Sequence, residues 1–151
     1  MKRVLLGLGN PLGRDDALGF RLAECFKSPE WITIPTQSLE NALGLIEKLA
    51  PELLVVVDAA EMGLPPGSFR RLPLPQGTSM LGSTHGLPLS LLLTFIGVTA
   101  VVVIGVEPKE RGLGEELSPE VREALAQLME LLRDDRIAEI PKLIPEEKDE
   151  P

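Results

Sequence analysis

Two runs in the middle and later parts of this 151-residue chain are apolar throughout and rich in valine: Leu53-Leu54-Val55-Val56-Val57, and the stretch from Ala100 to Val106. Both are short for a buried helix and long enough for a strand covered on both faces. Strands of that kind belong to parallel sheets, whose crossover connections are helices. The rest of the chain supplies those helices. A strand is predicted over Arg3 to Leu8, followed by a helix over Ala17 to Phe26 with Leu18, Leu22, Cys25 and Phe26 on one face. Trp31 to Ile34 reads as a second strand. The next helix spans Leu39 to Ala50, with Leu39, Ala42, Leu43, Ile46 and Ala50 facing inward and Ser38 as its N-cap. Ser68 to Leu72 is polar enough for an edge strand. Pro73 to Thr84 reads as loop, and a helix begins near Pro88. Ser118-Pro119-Glu120 combines a cap, a first-turn proline and a first-turn acid. It opens a last helix through Arg133 with the stripe Val121, Ala124, Leu125, Leu128 and Leu132. The expected fold is a three-layer α/β/α sandwich around a mainly parallel sheet. Residues 1–140 form one domain in this reading, and 141–151 an acidic, flexible tail.

The totals narrow the function. The formal charge is −8, which disfavours a nucleic-acid partner, because phosphate binding needs basic patches. Aromatic residues make up 3% of the chain and tyrosine is absent, so little is available for base stacking. One cysteine, Cys25, excludes an internal disulfide and a cysteine-rich metal site; on its apolar helix face it reads as core. The first apolar run, Val4 to Leu8, is too short for a signal-peptide core, and no segment has the length to span a bilayer. The expectation is a cytoplasmic protein without membrane insertion.

The chemistry gathers where strands end, as in open α/β sheets generally. Strand one runs into Gly7-Leu8-Gly9-Asn10-Pro11-Leu12-Gly13-Arg14-Asp15-Asp16. Glycine-rich loops attract phosphate through backbone amides, but two carboxylates repel it and suit a cation. The spacing G-x-G-x-x-x-G is near the dinucleotide fingerprint without matching it, and Ile34-Pro35-Thr36-Gln37 lacks the acid that fingerprint places after strand two. Asp15 reads as a helix N-cap, whereas Asp16 fits a cap or a ligand equally. Asp58 closes a strongly apolar strand, where a carboxylate is costly unless paired or liganded. His85, the one histidine, sits in Ser83-Thr84-His85-Gly86-Leu87-Pro88. It is either an ordinary loop residue or a ligand. Asp16, Asp58 and His85 together would make an open site for a borderline divalent metal. A Ser-His-Asp set using Ser83 or Thr84 lacks a nucleophile-elbow pattern. The glycines Gly7 and Gly9 are expected to turn the chain sharply and present Asp16.

Three blocks carry a family resemblance: Gly7 to Gly19, Leu54-Val55-Val56-Val57-Asp58-Ala59, and Thr84-His85-Gly86-Leu87-Pro88-Leu89. With Gly105-Val106-Glu107-Pro108 after the last strand, they resemble the hydrogenase maturation endopeptidases over about Met1 to Arg133. That resemblance implies a phosphorylase/hydrolase-like α/β fold. It further implies a protease that removes the C-terminal extension of the nickel–iron hydrogenase large-subunit precursor after nickel insertion. It assigns Asp16, Asp58 and His85 to nickel recognition and Asp16 and Asp58 to catalysis, with the nickel carried by the substrate. Family members often have a Gly-Gly pair after strand two, where this chain has Thr36-Gln37-Ser38, so the accepted precursor is left open. Two alternatives remain at this point. Peptidyl-tRNA hydrolases share the Gly-Leu-Gly-Asn-Pro opening but place a histidine where Asp15-Asp16 stand. A non-catalytic, metal-sensing chaperone of the hydrogenase precursor would use the same site without cutting.

Overall fold

The computed structural model describes residues 2–73, 93, 94, 96–98 and 100–144. Five strands form one sheet: β1 (Arg3–Leu8), β2 (Trp31–Thr36), β3 (Leu53–Ala59), β4 (Phe69–Leu72) and β5 (Val101–Val106). Their order is β2-β1-β3-β5-β4, all parallel except β4, which runs antiparallel to β5 at the edge. The helices are α1 (Leu18–Cys25), α2 (Leu43–Leu49) and α3 (Pro119–Arg133). Strand alternation divides the core. Val4, Leu6, Leu54, Val56 and Val103 face one side with Ile46 of α2. Leu5, Val55, Val57 and Ile104 face the other with Leu22 of α1 and Leu128 of α3. Sheet and two helical layers match the expected sandwich, and the predicted α3 stripe is buried in full. None of the described helices is long and apolar enough to cross a membrane.

The differences have local causes. Cys25 is exposed. It ends α1, and the extended backbone at Phe26 (φ −76°, ψ 118°) swings Phe26 into the core instead. Ala50 is exposed as well, because it closes α2 in the left-handed conformation (φ 47°). Ser38 caps nothing: the helix entry is a 3-10 turn, Glu40–Ala42, and the Ser38 amide and carbonyl bond to the Thr36 hydroxyl. β2 extends to Thr36 through Pro35, which an edge strand tolerates. Ser118 precedes α3 without a side-chain cap bond. The helix near Pro88 and residues 74–84 of the expected loop lie outside the described residues.

Close backbone approach explains two glycines. A Cβ on Gly7 would overlap the Gly19 carbonyl oxygen, and one on Gly19 would overlap the Val57 and Leu8 carbonyls. Neither has a positive φ. These residues let α1 lie directly on β1 and β3, which fixes the start of α1 at the strand ends. Gly19→Ala is expected to cost about 2–3 kcal/mol in urea unfolding, since the obstructing atoms are backbone and cannot rotate away. A loss under about 0.5 kcal/mol would contradict this close packing.

Candidate active site

β1 leads to β2 on one side and, after α2, the chain returns to β3 on the other side of β1. The crevice between the C-terminal ends of β1 and β3 is therefore a topological switch point, the usual ligand position in an open α/β sheet. Asp16 follows β1 and Asp58 is the penultimate residue of β3, where it pairs with Gly105 of β5.

The first loop closes on itself. The Asn10 amide donates to the Asp16 carbonyl at 3.2 Å, and the Gly13 and Asp16 amides donate to Asn10 and Gly13 carbonyls at 2.9 and 3.0 Å. The sharp turn is made by Arg14 rather than Gly7 or Gly9. Its φ of 53° and ψ of −119° are rare for a residue with a Cβ. Gly9 serves close approach, since a Cβ there would lie 2.5 Å from the Asp16 carbonyl oxygen. Asp16 then sits in the 3-10 turn Asp15–Ala17 with its side chain partly open to solvent.

Asp15 and Asp16 have opposite environments. Asp15 is fully buried and caps no helix through its own side chain, contrary to the sequence reading. Its Oδ1 accepts the Ser118 amide at 2.7 Å. Its Oδ2 accepts the Lys109 and Glu110 amides (2.9 and 2.7 Å) and the Ser118 hydroxyl (2.8 Å). Burial raises the Asp15 carboxyl, but the Ser118, Glu110 and Lys109 hydrogen bonds outweigh it and hold the group below its ordinary value. Asp15 thus ties the segment between β5 and α3 to the first loop, and the hydroxyl of Ser118 is spent on that tie.

Asp58 is largely enclosed by its neighbours but keeps some solvent access, and its Oδ1 accepts the adjacent Ala59 amide at 2.8 Å. Burial pushes its carboxyl up to about 7. The Ala59 bond and the positive charge of Arg111 oppose that rise, while the negative charge of Asp16 adds to it. The two carboxylates thus share one electrostatic site. A third group was not foreseen: Arg111 Nε donates to Asp16 Oδ1 at 2.7 Å, and its Nη1 pairs with Glu61 Oε1. Gly112 and Gly114, at φ 121° and 150°, allow the tight loop that carries Arg111. Glu107, also unforeseen, is buried and accepts the Met62 and Leu64 amides at 2.7 and 3.1 Å, fixing the loop after β3.

His85, with Ser83 and Thr84, lies outside the described residues. Among the described residues no three His, Cys, Asp or Glu side chains are grouped to hold a metal ion. Asp16 and Asp58 alone offer oxygen donors of the kind a divalent cation takes, as an incomplete set.

The comparisons with known proteins agree with this architecture. Residues 36–135 match the family model described as hydrogenase maturation protease. The Hydrogenase 3 maturation protease of Escherichia coli K12 is 32% identical over 139 residues, covering 87% of this chain and 89% of that protein. The solved HycI protease of Thermococcus kodakarensis is 33% identical and superposes with a TM-score of 0.71, covering 89% of this chain and 92% of the other. The solution structure of the endopeptidase HycI from Escherichia coli gives a TM-score of 0.81 at 27% identity, over 95% and 97% of the two chains. With the model covering most of the chain and the identity sustained along nearly all of it, this protein belongs to the hydrogenase maturation protease family.

Proposed function

We propose that the protein is a cytoplasmic endopeptidase that removes the C-terminal extension of a nickel–iron hydrogenase large-subunit precursor after nickel insertion, and that Asp16, Asp58 and His85 recognise the nickel held by that precursor. The observation that carries this reading is the meeting of Asp16 and Asp58 at the switch point, with Asp58 raised to about 7 by burial and by Asp16. Two ionised carboxylates disfavour each other there, and an incoming cation relieves that cost. The relatives named above are hydrogenase maturation proteases, which supports a hydrogenase as the substrate.

Substrate-borne nickel supplies Lewis acidity at the scissile carbonyl or at a bound water. The chain's own residues do the rest. Asp16 faces the site as a partly exposed carboxylate. Asp58, balanced near neutrality, can take a proton from water or return one to the departing amine. The aspartates are in this sense the proteolytic acids. Both alternatives raised from the sequence, a peptidyl-tRNA hydrolase and a chaperone that does not cut, give way to membership in a family of proteases.

The test is a cleavage assay with nickel-loaded and nickel-free precursor. The wild type should trim only the loaded form. His85→Ala should slow trimming by at least about 100-fold, since even an outer-shell metal partner is worth roughly 10–100-fold. Equal rates for His85→Ala and wild type would remove His85 from the site, and equal cleavage of both precursors would remove nickel recognition.

A further inference from the structure

A cation already occupies the Asp16 carboxylate, and it belongs to the protein. Arg111 Nε lies 2.7 Å from Asp16 Oδ1, and Nη1 of the same guanidinium holds Glu61. We propose that Arg111 is a stand-in for the substrate's metal: it neutralises Asp16 in the free enzyme and is left on Glu61 alone when a divalent cation arrives. This rests on the metal-recognising role of Asp16 and Asp58 proposed above.

The geometry favours exchange over a static tether. A guanidinium carries donors and no acceptor, so it can mimic a cation at a carboxylate but cannot ligate one. Its bond to Oδ1 takes an oxygen that a metal would use. The fork reaches two carboxylates of different character: Asp16 beside Asp58 in the crevice, and Glu61 on the rim with 74% of its side chain exposed. Glu61 gives the displaced guanidinium a partner without a return to bulk water. The loop has no need of Arg111 for its fold. Arg14 and Gly114 are joined by a backbone bond of 3.0 Å, Asp15 and Glu110 by one of 2.9 Å, and Asp15 holds Lys109, Glu110 and Ser118 through its side chain.

The consequence is selectivity for metal delivered on a partner. A free ion must displace the guanidinium by its own affinity alone. A metal held by a docked precursor competes at a high effective concentration. The free enzyme is thereby kept from collecting stray divalent ions at an incomplete ligand set.

Titration calorimetry of NiCl₂ into the isolated, full-length protein tests this without any cleavage. Arg111→Met should bind Ni²⁺ about 10-fold more tightly than wild type, within the 5–150-fold range typical of coupled sites. Glu61→Gln should bind more weakly, because Arg111 then has only Asp16. The double variant Arg111→Met/Glu61→Gln should match Arg111→Met, which shows that Glu61 acts through Arg111 and is not a ligand. Arg111→Lys, a compact cation without the fork, should fall between wild type and Arg111→Met. Unchanged, weaker or undetectable Ni²⁺ binding by Arg111→Met overturns the stand-in role. If that occurs while Asp16→Asn still binds less than wild type, the metal-recognising role of Asp16 survives. If Arg111→Met/Asp16→Asn binds as well as Arg111→Met, the metal bypasses Asp16 and both readings fall.

Discussion

Asp58→Asn should abolish processing and at the same time stabilise the protein in alkaline solution. The expected loss in rate is on the order of 100- to 10,000-fold, the usual worth of a positioned proton-transfer group. The stability effect follows from linkage. The folded-state value of Asp58 is about 7, against 3.8 for the ordinary carboxyl. Between those values the native protein binds a proton that the unfolded chain has lost. Stability therefore falls as pH rises from about 4, and the loss is complete above about pH 7. That difference between the folded and unfolded carboxyl corresponds to about 4 kcal/mol at most. Asp58 keeps some solvent access, so roughly 1–2 kcal/mol is the expected effect. Asparagine retains the acceptor for the Ala59 amide and removes both the buried charge and its repulsion with Asp16. Urea unfolding at pH 5 and pH 8.5 separates the cases: the wild type should lose stability between them and Asp58→Asn should not. A variant less stable than wild type at pH 8.5 would mean that the carboxylate is held by favourable contacts rather than burdened by burial. The trade of stability for chemistry is the kind expected at an active site.

Much of this site was legible because its parts follow directly from strand ends. Asp58 could be found because a carboxylate closing Leu53–Val57 is expensive without a purpose. Asp16 could be located after β1, but its meeting with Asp58 depends on strand order, and short parallel strands do not announce their neighbours. The order β2-β1-β3-β5-β4, which sets β1 beside β3, puts both at one crevice. Arg111 and Glu61 were illegible for the same reason: they lie 95 and 50 residues from their partners, Asp16 and Arg111, on loops without periodicity. Asp15 was misread because a carboxylate after a βα loop looks like a cap, and nothing local shows that its donors come from residues 109–118. The glycines were half read. Gly9 does pack against the loop that carries Asp16, but the turn falls to Arg14, whose positive φ no residue-type rule suggests.

Asp15→Ala should be the most destabilising single change outside the apolar core. Asp15 is wholly buried and accepts four hydrogen bonds, three of them from backbone amides. Alanine leaves those donors without their partner at a position that is itself fully buried. Each orphaned buried donor costs about 1–3 kcal/mol, and partial relaxation of the loop offsets some of it, so about 3–5 kcal/mol in total is expected. Asparagine is not a rescue, because its NH₂ group would face an amide donor in place of one oxygen. Ser118→Ala removes a single bond and should cost about 1 kcal/mol. The acid response distinguishes this role from generic packing. The Asp15 carboxyl is held below its ordinary value, so its contribution is present above about pH 4 and is lost as pH falls through the lowered native value. Wild type should therefore be most stable in mildly acidic solution, weakened on the alkaline side by Asp58 and on the strongly acid side by Asp15. In Asp15→Ala the acid limb should flatten while the alkaline limb stays. The same variant frees the segment that carries Arg111, so its Ni²⁺ affinity should rise toward that of Arg111→Met although no residue of the crevice has changed. An acid limb as steep in Asp15→Ala as in wild type would assign the tether to some other carboxylate.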